Sequence, residues 1–341
     1  MKEFVIKKKD SGQRIDKYLA RILPNAPKSF IYKMIRKKNI VLNDKRFNGN
    51  ELLNEGDNIK LWFSDETYER FASSSTPSSV KEEFLNAYER YKASIEIIYE
   101  DDDFLIINKP SGILSQKSDQ SDLSVNEWIV GYLLSKKGLT FESLSACRPS
   151  IVNRLDRNTS GIILAGKTVY GLNILSEMVR NRLIKKFYLT YVIGYLDGEY
   201  TLNGYHIKDE KKNTSVIIDC DAYEHLNDSQ KSEYSLVKTA YKVIDHYKLS
   251  DTDITSVELD LITGKSHQIR IHMSSIGHPL LGDNKYGDSA LNKELGLKHQ
   301  LLHAYKIVFP DDERLNSLSK RTITCQHGNQ EVFEALFSKN L

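Results

Sequence analysis

An aspartate set between two arginines is the group in this chain best suited to chemistry. It lies in Asn153-Arg154-Leu155-Asp156-Arg157-Asn158-Thr159-Ser160-Gly161, which runs straight into the apolar Ile162-Ile163-Leu164. Guanidinium neighbours keep a carboxylate ionised and fix its geometry through charge-assisted hydrogen bonds. A carboxylate nucleophile or base needs both. The residue types also allow a plainer reading, in which Asp156 caps a turn, because Asp, Asn, Thr, Ser and Gly are all turn formers. The histidines raise the question of a metal, but His267 and His272 stand five apart and on a helix would point about 140° away from each other. With His278 and His303 they match no ligand spacing, so no metal site is expected. Cys147, Cys220 and Cys325 are odd in number and scattered. They suggest neither a disulfide framework nor a zinc site, which suits a reducing compartment.

Three further segments stand out. Ile97-Ile98-Tyr99-Glu100 and Phe104-Leu105-Ile106-Ile107 are separated by Asp101-Asp102-Asp103 and stopped by Asn108-Lys109-Pro110-Ser111-Gly112; apolar runs around an acidic turn read as a β-hairpin. Lys185-Lys186-Phe187-Tyr188-Leu189-Thr190-Tyr191-Val192-Ile193-Gly194 reads as a strand. Alternation puts Tyr188, Thr190 and Val192 on one face, which leaves Tyr188 turned either to the core or to a cleft. The last segment is Leu261-Ile262-Thr263-Gly264-Lys265-Ser266-His267-Gln268-Ile269-Arg270-Ile271-His272-Met273, followed by Gly277-His278-Pro279, Gly282-Asp283 and Tyr286-Gly287.

Taken along the chain, the four segments resemble the motifs of the RluA-type pseudouridine synthases. The Asp156 segment matches His-Arg-Leu-Asp-x-x-Thr-Ser-Gly, with Asn153 where the family most often has His, and Lys265 replaces the usual Arg of the last motif. Together they span about residues 97 to 287. The resemblance implies that Asp156 is the nucleophile or proton acceptor at the sugar, that Arg270 pairs with it, and that Tyr188 stacks on the uracil. Ile271 would be an apolar wall, and Asn153 and Arg154 would help hold the flipped nucleotide or its phosphates. The implied reaction detaches uracil from C1′ of its ribose, turns it and rejoins it through C5. Such an isomerisation needs neither cofactor nor metal, but the base must be flipped out of its stack. Attack at C1′ and abstraction of a sugar proton both remain open. Two other classes fit the residues less well. A noncatalytic RNA-binding assembly factor would have no reason to retain Asp156, Tyr188 and Arg270 together. A glycoside hydrolase needs a second carboxylate as acid, where these motifs offer Arg and Tyr.

The elements that must position these groups follow from composition and periodicity. At 341 residues and 40% hydrophobic content the chain is expected to form more than one domain. No stretch approaches 18 uninterrupted apolar residues and the first residues lack a signal-peptide core, so a cytoplasmic protein with no membrane contact is expected. Residues 1–63 hold 15 Lys/Arg against 7 Asp/Glu, a surplus of +8 in a chain whose net charge is +2. That asymmetry points to a basic module docking on a polyanion. Ile15, Tyr18, Leu19, Ile22 and Leu23, then Ile31, Met34 and Ile35, predict two amphipathic helices. Lys33, Arg36 and Lys37 face away from the second stripe, where phosphate would relieve their mutual repulsion. Strands are predicted at Ile40-Val41-Leu42 and over 59–63. With Arg14-Ile15-Asp16-Lys17-Tyr18-Leu19 and Asn39-Ile40-Val41-Leu42-Asn43, the module resembles an S4 (α-L type) RNA-binding domain.

The Ser/Pro-rich centre of residues 64–93 predicts a flexible linker. The catalytic domain would occupy 94–341. Its apolar runs at 104–107, 162–165, 187–193, 214–218, 235–244 and 254–262, with helical periodicity near Trp128 and Leu172 and a closing helix near Val332, predict an α+β fold. A largely antiparallel mixed sheet with flanking helices is the implied architecture. The expected partner is RNA, foremost 23S ribosomal RNA or the assembling large ribosomal subunit, with transfer RNA second. A monomer is expected.

Overall fold

The computed structural model describes residues 1–72, 78–119, 121–140, 144, 147–209, 214–326 and 330–340. The chain divides into two compact units: Met1–Ile107, Ser115–Arg154 and Ile163–Glu177 form the first, and Asn108–Leu114, Leu155–Ile162 and Met178–Leu341 the second. Among the described residues no helix is long and apolar enough to cross a membrane.

The first unit opens with strand β1 (Lys2–Val5), helices α1 (Ile15–Ile22) and α2 (Lys28–Arg36), and strands β2 (Ile40–Leu42) and β3 (Asn58–Leu61). The central β3 pairs antiparallel with both β1 and β2. The stripes Ile15, Leu19, Ile31 and Ile35 close over Ile40, Ile59 and Leu61 to make one core. Lys33, Arg36 and Lys37 are left exposed. Two of them, Lys33 and Arg36, lie in the last turn of α2, where the helix dipole favours cations.

Where composition predicts a flexible linker over 64–93, two helices are found: α3 (Asp65–Ala72) and α4 (Ser78–Tyr91). The Ser73-Ser74-Ser75-Thr76-Pro77 run that prompted the linker reading lies outside the described residues. On α4, Phe84, Ala87 and Tyr88 repeat at helical spacing and are buried. They pack on helix α5 (Val125–Lys136), where Gly131 lets the Phe84 carbonyl come so close that a Cβ would lie 2.0 Å from it. The small, polar centre of the segment outweighed this flanking period in the sequence. The unit also contains the hairpin of β4 (Glu96–Glu100) and β5 (Phe104–Lys109) as far as Ile107, whose turn is fixed by Asp101 Oδ1 accepting the Asp103 and Phe104 N–H groups. Strand β6 (Ser150–Ile151) pairs with the end of β7 (Ser160–Gly166), and α6 (Val169–Arg180) follows.

The second unit is built on strands β8 (Lys185–Ile193), β9 (Glu199–Asp209), β10 (Thr214–Ile218), β11 (Ser235–Leu249), β12 (Thr252–Asp260), β13 (Leu302–Val308) and β14 (Thr322–Thr324). Their order is β10-β9-β11-β12-β8-β13, antiparallel throughout, with β14 also antiparallel to β13. Short helices α7 (Cys220–Glu224) and α8 (Asp228–Lys231) join β10 to β11; α9 (Gln268–Ser275), α10 (Ser289–Glu294) and the closing α11 (Gln330–Asn340) complete it. Phe333 of α11 stacks on Tyr191 of β8 with ring centroids 3.6 Å apart. The fold is therefore α+β with a largely antiparallel sheet. Strand β9 was not legible in the sequence, because Gly204 and His206 interrupt its apolar alternation.

One junction bears directly on Asp156. The start of β7 runs parallel to β13, pairing Ser160 with His303 and Gly161 with Ala304. Gly161 has φ +117°, and a Cβ there would lie 2.3 Å from the Ala304 carbonyl oxygen. Both the backbone conformation and the close approach require glycine. Gly161→Ala should cost about 3 kcal/mol or more, a strained φ and an overpacked contact together. Urea unfolding should show a clearly lower midpoint, and an unchanged midpoint would mean that β7 and β13 do not meet here.

Candidate active site

The loop carrying Asp156 is held from several sides. Leu155 is buried as its anchor. The Asp156 carbonyl accepts the Thr159 N–H at 3.1 Å, and Gln300 Nε2 donates to Thr159 Oγ1 at 3.3 Å. Ser160 Oγ and His303 Nδ1 are 2.8 Å apart. From the turn after β5, Gly112 N donates to the Arg157 carbonyl at 2.9 Å and Ser111 Oγ to the Asn158 carbonyl at 2.9 Å. Lys109, fully buried, spends its three donors on the carbonyls of Pro110, Ile113 and Arg157 at 2.9, 2.9 and 3.0 Å. Burial pushes its pKa down to about 7, against the pull of the Asp156 charge. The backbone around the aspartate is thus fixed while its side chain stays 30% exposed.

Arg270 comes from α9, whose start is set by Gln268. The Gln268 amide donates to Lys238 O at 3.0 Å and Thr239 Oγ1 at 2.9 Å, and accepts from Thr263 Oγ1 at 2.9 Å and Lys265 N at 3.1 Å. All four of its bonding positions are filled. Buried Arg270 then reaches Asp156 Oδ2 with Nη1 at 3.2 Å, while Nε and Nη2 grip Asp283 at 2.6 and 2.8 Å. Burial works against the guanidinium cation, but its bonds to Asp283 and Asp156 prevail and its pKa is raised. Burial would likewise raise Asp283. The Arg270 bonds and charge, with the Lys285 and Tyr286 N–H groups, hold it below the ordinary carboxylate value instead.

Tyr188 sits on β8 between Leu259 and Ala304 and is 5% exposed. Burial first, and then the charge of Asp156, push its phenol above the ordinary value, so it stays protonated. Ile271, next to Arg270 on α9, is buried. His267 precedes α9 in the left-handed conformation, φ 57°. Its Nε2 lies 3.8 Å from Asp156 Oδ2 and its Nδ1 2.8 Å from the Tyr286 hydroxyl. The Tyr286 ring centroid is 5.1 Å from the Arg270 guanidinium carbon.

The second unit therefore brings Asp156, Arg270 and Tyr188 into one neighbourhood, with Ile271 buried next to Arg270 on α9. Asn153, Arg154, Lys33, Arg36 and Lys37 belong to the first unit. The Asn153 amide oxygen accepts the Leu164 N–H at 2.7 Å, an interaction within the strand-forming chain, and Arg154 is exposed. Sequence reasoning missed Asp283 and Tyr286 as partners of the site and Lys109 as its staple. All three stand inside the quoted motifs, but spacing carries no record of which atoms meet. The other histidines turn to separate partners: His272 to Thr239, His278 to the Ile193 carbonyl, and His303 to Ser160.

Residues 103–275 match the family described as RNA pseudouridylate synthase. The chain is 32% identical over 312 residues to the ribosomal large subunit pseudouridine synthase C of Vibrio parahaemolyticus, covering 88% of this chain and 85% of that one. It is 30% identical over 318 residues to the protein of the same name from Escherichia coli K12, covering 88% and 86%. Among solved structures it is similar to human RNA pseudouridylate synthase domain containing 4, with TM-score 0.54 and 20% identity over 74% of this chain and 95% of that one, a likeness of fold.

The depressed Asp283 carboxyl has a consequence for acid stability. A carboxylate whose pKa is lower folded than unfolded contributes stability above its unfolded value, about 3.9, and loses it as pH falls through the folded one. Denaturant midpoints of the native protein should therefore drop steeply below about pH 4. Asp283→Asn should be less stable at neutral pH and show a shallower fall in acid. Parallel curves for the two proteins would show that Asp283 contributes nothing through its charge.

Proposed function

The chain belongs to the RNA pseudouridylate synthase family and is an RNA pseudouridine synthase, and on that premise we propose that it isomerises uridines of large-subunit (23S) ribosomal RNA, with Asp156 as its catalytic carboxylate. The observation that carries the catalytic part is the 3.2 Å contact of Arg270 with Asp156 at the mouth of an otherwise buried ion pair. An aspartate held by a cation yet 30% exposed is oriented without being closed off. Both of its side-chain contacts among the described residues fall on Oδ2, leaving Oδ1 for the sugar. Either route open to the carboxylate, attack at C1′ or removal of a sugar proton, uses that oxygen. Tyr188 supplies a flat, neutral ring against which the flipped uracil can stack, and Ile271 an apolar wall beside Arg270.

Support for ribosomal RNA comes from the names of the Vibrio and Escherichia coli relatives, both large-subunit enzymes. The basic module of residues 1–63 suits the same substrate. Lys33, Arg36 and Lys37 are exposed on one short helix end, as phosphate contacts require, and binding through them would weaken steeply with salt. In this reading residues 1–63 are an S4-type RNA-binding domain and residues 94–341 the catalytic domain.

The test supplies the protein with 23S ribosomal RNA transcripts and with transfer RNA transcripts, both tritiated at C5 of uridine. Tritium should be released from the 23S transcript at least about tenfold faster. Carbodiimide labelling and primer extension would then locate the pseudouridines. Release from transfer RNA alone would overturn the substrate assignment.

A further inference from the structure

His267 takes no part in the scheme above, yet it is held with unusual care. It is a non-glycine residue in the left-handed region, φ 57°, directly before the helix that carries Arg270. Such strain persists where surrounding contacts over-determine it, and it gathers at functional sites. The contacts here form a chain. The Ser215 N–H donates to the Tyr286 hydroxyl oxygen at 3.2 Å, and the same hydroxyl stands 2.8 Å from His267 Nδ1.

That chain selects a tautomer. The Tyr286 oxygen accepts a hydrogen bond from the Ser215 N–H, and among its contacts with the described residues the one acceptor for its own hydrogen is His267 Nδ1. The ring proton then sits on Nε2, the nitrogen that faces Asp156 Oδ2 at 3.8 Å. This is too long for a direct hydrogen bond. An N–H donor and a carboxylate acceptor side by side, not bonded to each other, match a group that both accepts and donates: a hydroxyl.

We propose that His267 Nε2–H and Asp156 Oδ2 together read the 2′-hydroxyl of the target ribose, His267 donating to its oxygen and Asp156 accepting its hydrogen. This rests on the assignment of Asp156 to the sugar of the flipped uridine. The geometry of the sugar agrees with it. C1′ and the 2′ oxygen are separated by one atom, as are the two oxygens of a carboxylate, so Oδ1 facing C1′ brings Oδ2 beside the 2′ oxygen. His267 is then a specificity residue that tells RNA from DNA at the reacting nucleotide, as the 2′-hydroxyl allows. Tyr286 positions it by fixing the tautomer. Arg270, which meets the same Oδ2 from Nη1 at 3.2 Å, holds the carboxylate for this contact.

The experiment is a cycle between protein and substrate. An RNA fragment containing the modified uridine is made with either ribose or 2′-deoxyribose at that one nucleotide. It is given in single turnover to the native protein, to His267→Asn and to Tyr286→Phe, with equilibrium binding measured alongside. Asn tolerates the left-handed backbone but is too short to reach. Phe leaves the His267 backbone untouched and removes the tautomer lock together with the acceptor of the Ser215 N–H, so it carries the test if the His267 variant is unstable. Loss of the hydroxyl should lower efficiency or affinity at least about tenfold in the native protein, less than about threefold in His267→Asn, and to an intermediate degree in Tyr286→Phe. Any intrinsic effect of the missing hydroxyl on the sugar chemistry is common to all three and cancels in the ratio. The same fold loss in all three proteins would overturn the proposal. Native activity on the all-ribose fragment is read separately, so its absence would point to the substrate assignment and not to His267.

Discussion

One guanidinium shared unequally between two carboxylates governs the second unit. Arg270 gives two short bonds to Asp283, which is buried, and one longer bond to Asp156, which is 30% exposed. Asp283 offsets the cost of burying the cation, so Asp156 need not. Asp156 is then held through Oδ2 while its Oδ1 stays uncommitted among the described residues. Removing one partner of such a buried pair costs about 3–5 kcal/mol, because the other charge is left uncompensated. That penalty ties the site to the stability of the fold around it.

Asp156 arrives from a part of the chain distant from Arg270 and Asp283, and separate devices bring each of the three to its place. Asp156 is delivered by a loop whose carbonyls are pinned by Lys109, Gly112 and Ser111, and whose exit strand is locked to β13 at Gly161. Arg270 is delivered by a helix whose first turn is fastened to β11 through Gln268. Asp283 is delivered by the turn after Leu280 and Leu281, both fully buried, and is itself capped by two backbone N–H groups. Tyr188 needs no such device. It lies in the middle of a paired strand, and its register alone places it.

Much of this was legible in the sequence, and what was not has physical reasons. The strand at 214–218, the strand that fills most of the run 254–262 and the two helices of the basic module follow from periodicity, which is the record of a buried face. Asp156, Tyr188 and Arg270 could be named because their motifs are contiguous. Asp283 stood in a motif as well, but its role depends on a fork of donors thirteen residues away, and spacing does not reveal a fork. The helical nature of residues 78–91 was hidden by the Ser/Pro run beside it, and β9 by a glycine and a histidine where the apolar pattern should continue. Asn153 has its amide oxygen on the Leu164 N–H, a backbone partner that residue type does not reveal.

The assignment of Asp156 as the catalytic carboxylate is tested most directly by Asp156→Asn, assayed in single turnover on C5-tritiated ribosomal RNA with binding measured in parallel. Asn keeps the size and much of the hydrogen bonding of Asp but cannot serve as an anionic nucleophile or base. Tritium release should fall to background while RNA affinity stays near that of the native protein. Release within about tenfold of the native rate would show that Asp156 is structural and that the chemistry resides elsewhere.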